Sequence, residues 1–197
     1  AKVLTVWDKD WTPDKRKEMT SRIATGDWDA VIISHTAYGS IPLSENMVTN
    51  FYNDQISELR AVLRGIEADG DDEGKKGKGR SAKQIEKMIE TAQVNLERRL
   101  DKIKEQQDVS LPWEQLGIDT VLVDEFHYFK NLFFPTRHTR FPGLGGSEAD
   151  RAMDMFLKTQ DIQKKNNGRG LIGLSGTPIS NSLAEMYTLG RYFMLKT

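Results

Sequence analysis

The chain contains no cysteine, only three histidines and only six prolines. Without cysteine there can be no disulfide and no thiolate-held metal, a composition that fits a reducing cytoplasm. His35, His127 and His138 stand too far apart for metal-ligand spacing. No apolar run approaches the roughly 18 residues of a membrane span. The opening AKVLTVWDKDW lacks the basic-then-apolar pattern of a secretory signal. An excess of one charge is also missing: 28 Lys plus Arg balance 29 Asp plus Glu, for a net −1. Global charge therefore gives no argument for nucleic-acid binding. What remains is 197 residues, 38% hydrophobic and 29% charged. That suits one domain with a real core and a large solvated element.

Strand and helix signals alternate along the chain. Residues 2–6, KVLTV, and 30–34, AVIIS, read as strands, with a helix between them opening at Thr12-Pro13-Asp14 and ending at Gly26-Asp27. Trp7, Trp11 and Trp28 read as packing residues around that helix, and His35 as a polar cap at a strand end. Residues 120–125, TVLVDE, and 171–174, LIGL, are two further apolar strands. Such continuous runs suit a parallel sheet covered on both faces. Ser147-x-x-Asp150 and Ser182-x-x-Glu185 are capping boxes for two more helices. The last of these carries Leu183, Met186, Tyr187 and Met194 as its apolar side.

Residues 44–110 differ in character. Apolar residues recur at helical spacing from Val48 to Ile66 and again from Ile85 to Ile103, around a Gly-rich charged stretch at 68–80. This predicts an antiparallel helical hairpin of coiled-coil type, each helix packing mainly on the other. Lys75, Lys76, Lys78, Arg80 and Lys83 cluster near its tip. A solvated turn accounts for them more simply than a DNA-tracking finger, because 12 basic and 14 acidic residues balance over 44–110. A protein-contact arm fits that balance at least as well.

Chemistry concentrates at two strand ends. VLVDEFHYFKN, residues 121–131, delivers Asp124 and Glu125 to the carboxyl end of a strand, where open α/β sheets bind ligands. Adjacent acids there suit a nucleotide-bound Mg²⁺, one carboxylate serving the ion and the other the attacking water. The plainer reading is a solvated strand end, with His127 a structural histidine. LSGTPISN, residues 174–181, brings the hydroxyls of Ser175 and Thr177 to a second strand end, with Gly176 allowing a tight backbone and Pro178 fixing the exit. Parallel strands can set this loop beside Asp124. Arg137, His138 and Arg140, interleaved with Phe133, Phe134 and Phe141, form a basic-aromatic stretch able to hold single strands. A core-anchored loop with solvated arginines explains them equally well.

Together and in this order, DEFH at 124–127 and SGTP at 175–178 resemble motifs II and III of superfamily 2 DEAD/DEAH-box helicases and translocases. DEFHYFKN is similar to the DEAH-x-x-KN of the Swi/Snf-like branch. LSGTPISNSLAE resembles that branch's L-[ST]-GTP-x-x-N-x-x-x-E, with Asn181 and Glu185 as matches, and VIISHTAYGSI at 31–41 resembles its upstream strand and loop. More narrowly, the chain looks like large phage- and plasmid-borne helicases, often joined to a methyltransferase-like region, in which a helical insertion precedes motif II. Phe126 departs from the pattern, which has a small residue there.

The resemblance implies an α/β fold: a partial RecA-like P-loop NTPase lobe with a parallel sheet, split by the hairpin. Residues 1–43 and 111–197 would form the lobe, and 44–110 the insertion. It implies ATP and Mg²⁺ as cofactors of the parent, with Asp124 and Glu125 serving Mg-ATP. His127 would link the nucleotide to motif III. Ser175, Gly176, Thr177, Pro178 and Asn181 would couple hydrolysis to movement. DNA, most naturally duplex, would be the partner, with Lys130, Arg137 and Arg140 as candidate contacts. No G-x-x-x-x-G-K-[ST] phosphate loop occurs, and GKKGKGRSAK at 74–83 lacks its ending. The expectation is thus a motor fragment whose phosphate loop and second lobe lie elsewhere, inactive alone. The alternative is a non-catalytic protein- or DNA-binding module that keeps the lobe's shape. Nuclease chemistry lacks the further acids that two metals need.

Overall fold

The computed structural model describes residues 1–68, 75–106, 110–132, 150–179 and 183–194. Two short parallel pairs organise the described chain. Strand β1 (Val3–Thr5) pairs with β2 (Ala30–Ile32), and β3 (Val121–Val123) pairs with β4 (Leu171–Gly173). Each pair is joined through a helix, as parallel strands require. Helix α1 (Pro13–Thr25) connects the first pair, and α5 (Asp150–Lys165) lies between the strands of the second. Pro13 occupies the first turn of α1 and Thr12 the extended N-cap position, although the Thr12 hydroxyl makes no cap bond.

The strands alternate. Leu4, Val6 and Val123 point into the core with Ile23, Phe156 and Ile162. On the other side Ile32 is 58% exposed, Leu122 66% and Ile172 47%, with Val3 and Leu174 also exposed. The expected cover on both faces is therefore present on one face only among the described residues. Both connecting helices contribute to the same core and leave the opposite face bare.

Between the two pairs come α2 (His35–Gly39), α3 (Glu45–Ala68) and α4 (Lys75–Gln106). Ser34 caps α2 by accepting the Ala37 amide. Helices α3 and α4 pack along each other, but their base is not a detached arm. Val48, Tyr52 and Ile56 belong to the main core, and Phe51 meets Phe156 of α5 edge-on at 6.0 Å between centroids. Arg99 donates to the Tyr52 hydroxyl at 2.9 Å. Arg98 and Arg99 reach Asp150 Oδ1 at 2.7 and 3.5 Å, and Lys102 reaches its Oδ2 at 3.9 Å. The two ends of the 44–110 stretch are tied: the Trp113 amide donates to Pro42 O, and Glu114 accepts from the amide and hydroxyl of Ser44. Helix α4 also begins earlier than its glycines suggest, at Lys75, so that the 75–80 segment is helical. A helix already propagated absorbs a glycine at about 1 kcal/mol, far less than starting a new one costs.

Helix α6 (Leu183–Arg191) turns outward two of the residues its sequence pattern assigns to the core, while the side chain of Leu183 lies outside the described residues. Met186, Tyr187 and Met194 are exposed, whereas Glu185, Thr188, Leu189 and Tyr192 are buried. The inward face is held by polar pairing to Lys130 and by the Tyr192 hydroxyl, 2.9 Å from Phe129 O and 2.8 Å from Ala152 O. Of the tryptophans, Trp11 is buried and donates to Ser40, and Trp28 stacks under Arg22, but Trp7 is exposed. His35 opens α2, half-buried with its ring 5.4 Å from that of Phe129.

Candidate functional site

The site forms where β3 and β4 end. Their ladder continues past the strands: the Leu174 amide donates to Val123 O and the Phe126 amide to Leu174 O, each at 2.8 Å. These bonds fix the 124–129 segment against the 174–179 loop. Asp124 turns its Oδ1 back to accept the Glu125 amide at 2.9 Å. Glu125 sits in the left-handed region, φ 50° and ψ 47°. A non-glycine residue there is strained, of a kind that clusters at functional sites. The chain then tightens into a 3-10 turn, Phe126–Phe129, with the Tyr128 amide donating to Glu125 O.

Within this frame, His127 Nδ1 lies 3.2 Å from Ser175 Oγ and 3.2 Å from Glu125 Oε2. The imidazole is thus placed between a carboxylate of the first loop and a hydroxyl of the second. The Thr177 amide donates to Ser175 Oγ at 3.3 Å, closing the second loop on itself. Asp124, Gly176, Thr177 and Pro178 are exposed. Gly176 has a negative or extended φ, and a side chain there would meet nothing within 4 Å, so the fold itself does not demand glycine at this position.

Behind the loop, Phe126 is buried against Tyr192, Phe193 and Phe129. Its bulk is accommodated by Gly173, where a Cβ would stand 2.7 Å from Phe126 Cδ1. The Phe in DEFH thus has its space made by the missing side chain in LIGL. Arg151, the second residue of α5, lies over the rings of Tyr128 and Phe129 at 5.5 and 5.9 Å.

Lys130 follows the turn and points inward. Its ammonium is 2.9 Å from Glu185 Oε1, with the two side chains 20% and 9% exposed. Glu185, read from sequence as the acid of a capping box whose Ser182 lies outside the described residues, pairs with Lys130, a contact that sequence reasoning missed. Its signal was the matching Lys and Glu of the two motifs, 55 residues apart. Arg137, His138, Arg140 and Asn181 lie outside the described residues. Among the described residues no group of three or more His, Asp or Glu could hold a metal by itself. No helix among the described residues is long and apolar enough to cross a membrane.

The chain belongs to the probable helicase domain family, whose model matches residues 1–197. It is also similar to the defense against restriction protein B of Escherichia phage P1, at 27% identity over 170 residues. That match covers 85% of this chain and 7% of the phage protein, so the chain spans a small part of its relative's length. No solved structure matches.

Proposed function

We propose that this chain is part of the first motor lobe, RecA-like in fold, of an ATP-dependent DNA helicase or translocase of the Swi/Snf-like superfamily 2 branch. The observation that carries the reading is the contact set of His127, which joins Glu125 of the DEFH turn to Ser175 of the SGTP loop. Asp124 keeps one oxygen for a nucleotide-bound Mg²⁺ after accepting the Glu125 amide. Glu125, half-exposed beside it, orients the attacking water and takes its proton. Mg-ATP supplies the phosphoryl chemistry. A change at Glu125 reaches the Ser175–Pro178 loop through His127, which gives hydrolysis a mechanical outlet toward bound DNA.

Phosphate grip and the second lobe come, in this reading, from other parts of a longer polypeptide. Two observations support that. The phosphate-loop pattern is absent from the 197 residues, and the bare apolar face beside Asp124 is of the kind parallel sheets keep covered. Residues 44–110 are then an insertion that is anchored in the lobe through Tyr52, Arg99 and Asp150.

The test is Mg²⁺-dependent ATP turnover, with and without duplex DNA. A longer polypeptide that includes a phosphate loop should hydrolyse ATP and lose that activity on Glu125→Gln. The 197 residues alone should show little or none. Turnover by the 197 residues alone that Glu125→Gln abolishes would overturn the division of labour. A longer polypeptide that binds no nucleotide would favour the binding-module alternative.

A further inference from the structure

Lys130 is tethered at its amide, its carbonyl and its side chain. Its amide donates to His127 O at 3.3 Å, closing the turn that carries the imidazole. Its carbonyl accepts the Thr188 hydroxyl at 2.6 Å. Its ammonium meets Glu185 Oε1 at 2.9 Å. Glu185 and Thr188 are three residues apart on α6 and so share one face of that helix. Helix α6 is the element that follows the 174–179 loop. Lys130 therefore joins the end of one loop to the helix behind the other.

The His127–Ser175 contact joins the turn to the 174–179 loop on the solvent side, and the Lys130–Glu185 pair joins the end of the turn to α6 on the buried side. The ladder bonds at Leu174 and Phe126 fix the strand end of the turn, and the Lys130–Glu185 pair fixes its far end. Burying an ion pair is a poor way to gain stability, since apolar residues of similar volume usually do as well. What a charge-assisted bond adds is a defined length and direction.

We propose that Lys130 and Glu185 are a positioning pair that fixes the far end of the 124–129 turn on α6 and so holds His127 within reach of Ser175. This gives Lys130 an internal task in place of the nucleic-acid contact expected from sequence. Its consequence for turnover rests on the ATP-hydrolysis reading, but its geometric content does not.

The experiment has two arms. With three histidines in the chain, the His127 ring can be followed by side-chain NMR in the 197-residue protein. Lys130→Met and Glu185→Gln should keep the far-UV circular dichroism of the parent while displacing the His127 ring signals. The exchange Lys130→Glu with Glu185→Lys should bring them back toward the parent position. Should Lys130→Met fail to fold, Thr188→Val, which removes one hydroxyl tie, carries the same readout. Unmoved His127 signals in folded single variants, or an exchange variant displaced as far as the singles, would overturn the proposal.

The second arm measures ATP turnover in the longer polypeptide. There the single variants should lower kcat by about tenfold with KM for ATP changed by less than about twofold, and the exchange should recover it. Unchanged kcat would overturn the role in turnover. A parent polypeptide with no ATP turnover would remove the hydrolysis reading and leave the His127 signals to decide the pair.

Discussion

The ring of His127 lies 3.2 Å from the hydroxyl of Ser175, two residues 48 positions apart that the β3–β4 pairing brings together. If this contact carries the link between the loops, the two residues act as a unit. His127→Ala and Ser175→Ala should each lower ATP turnover of the longer polypeptide by roughly 10–100-fold, and the double variant by no more than the worse single one. Steady-state kinetics on the double-mutant cycle checks this, and additive losses would show that the two side chains work independently.

Phe126 and Gly173 share one space. Phe126→Ala should cost about 3–5 kcal/mol, the usual loss for a large core aromatic. Gly173→Ala should cost about 1–3 kcal/mol, because the new methyl meets the Phe126 ring. The double variant should be less destabilised than the sum, since the alanine methyl enters room that the ring has vacated. Urea denaturation of the four proteins measures the coupling.

Lys158 is completely buried. Its ammonium donates to Asp154 Oδ2 and to Tyr38 O, each at 2.7 Å, and lies 4.5 Å from the Tyr38 ring centroid. Burial pushes the Asp154 carboxyl up and the Lys158 ammonium down, while their mutual attraction opposes both shifts. Lys158→Met strands the carboxyl and should cost about 3–5 kcal/mol. Replacing both residues, Asp154→Leu with Lys158→Met, should recover most of that loss in the denaturation midpoint.

The phenols of Tyr38 and Tyr192 are held well above their usual range, first by burial and then by the nearby Asp154. Below about pH 10 a tyrosine is neutral in both folded and unfolded chains. Above it the unfolded chain loses the proton and the folded one keeps it, so stability falls with rising pH. Each phenol should contribute about 1.4 kcal/mol per pH unit in that range. Tyr192→Phe should remove one share of the alkaline slope, read from melting temperatures at pH 9–11, while lowering stability at neutral pH through its lost hydrogen bonds.

The strands and helices declared themselves through period. KVLTV, AVIIS, TVLVDE and LIGL are short apolar runs, and the hairpin's apolar spacing is helical, so each falls where a strand or helix stands. Orientation was less legible. In α6, Met186 and Tyr187 read as part of a core stripe, yet Glu185 and Thr188 face inward because Lys130, far away in sequence, offers them partners. Local pattern cannot register a partner 55 residues off. The same limit applies at the site. Asp124, Glu125, His127 and Ser175 were visible as chemistry at strand ends. The left-handed backbone of Glu125 and the exchange of volume between Phe126 and Gly173 come from packing, which no spacing encodes.

Among the described residues, the strand side turned away from the core sets how this chain behaves in water. Ile32, Leu122, Ile172 and Leu174 offer hydrocarbon to water next to short parallel strands. During synthesis such a surface is a client for holding chaperones, and in a test tube it invites self-association that grows with concentration. Handling these 197 residues alone is therefore a question of colloid chemistry as much as of folding, and a covering segment supplied in trans would act as a solubiliser before it acted as anything else.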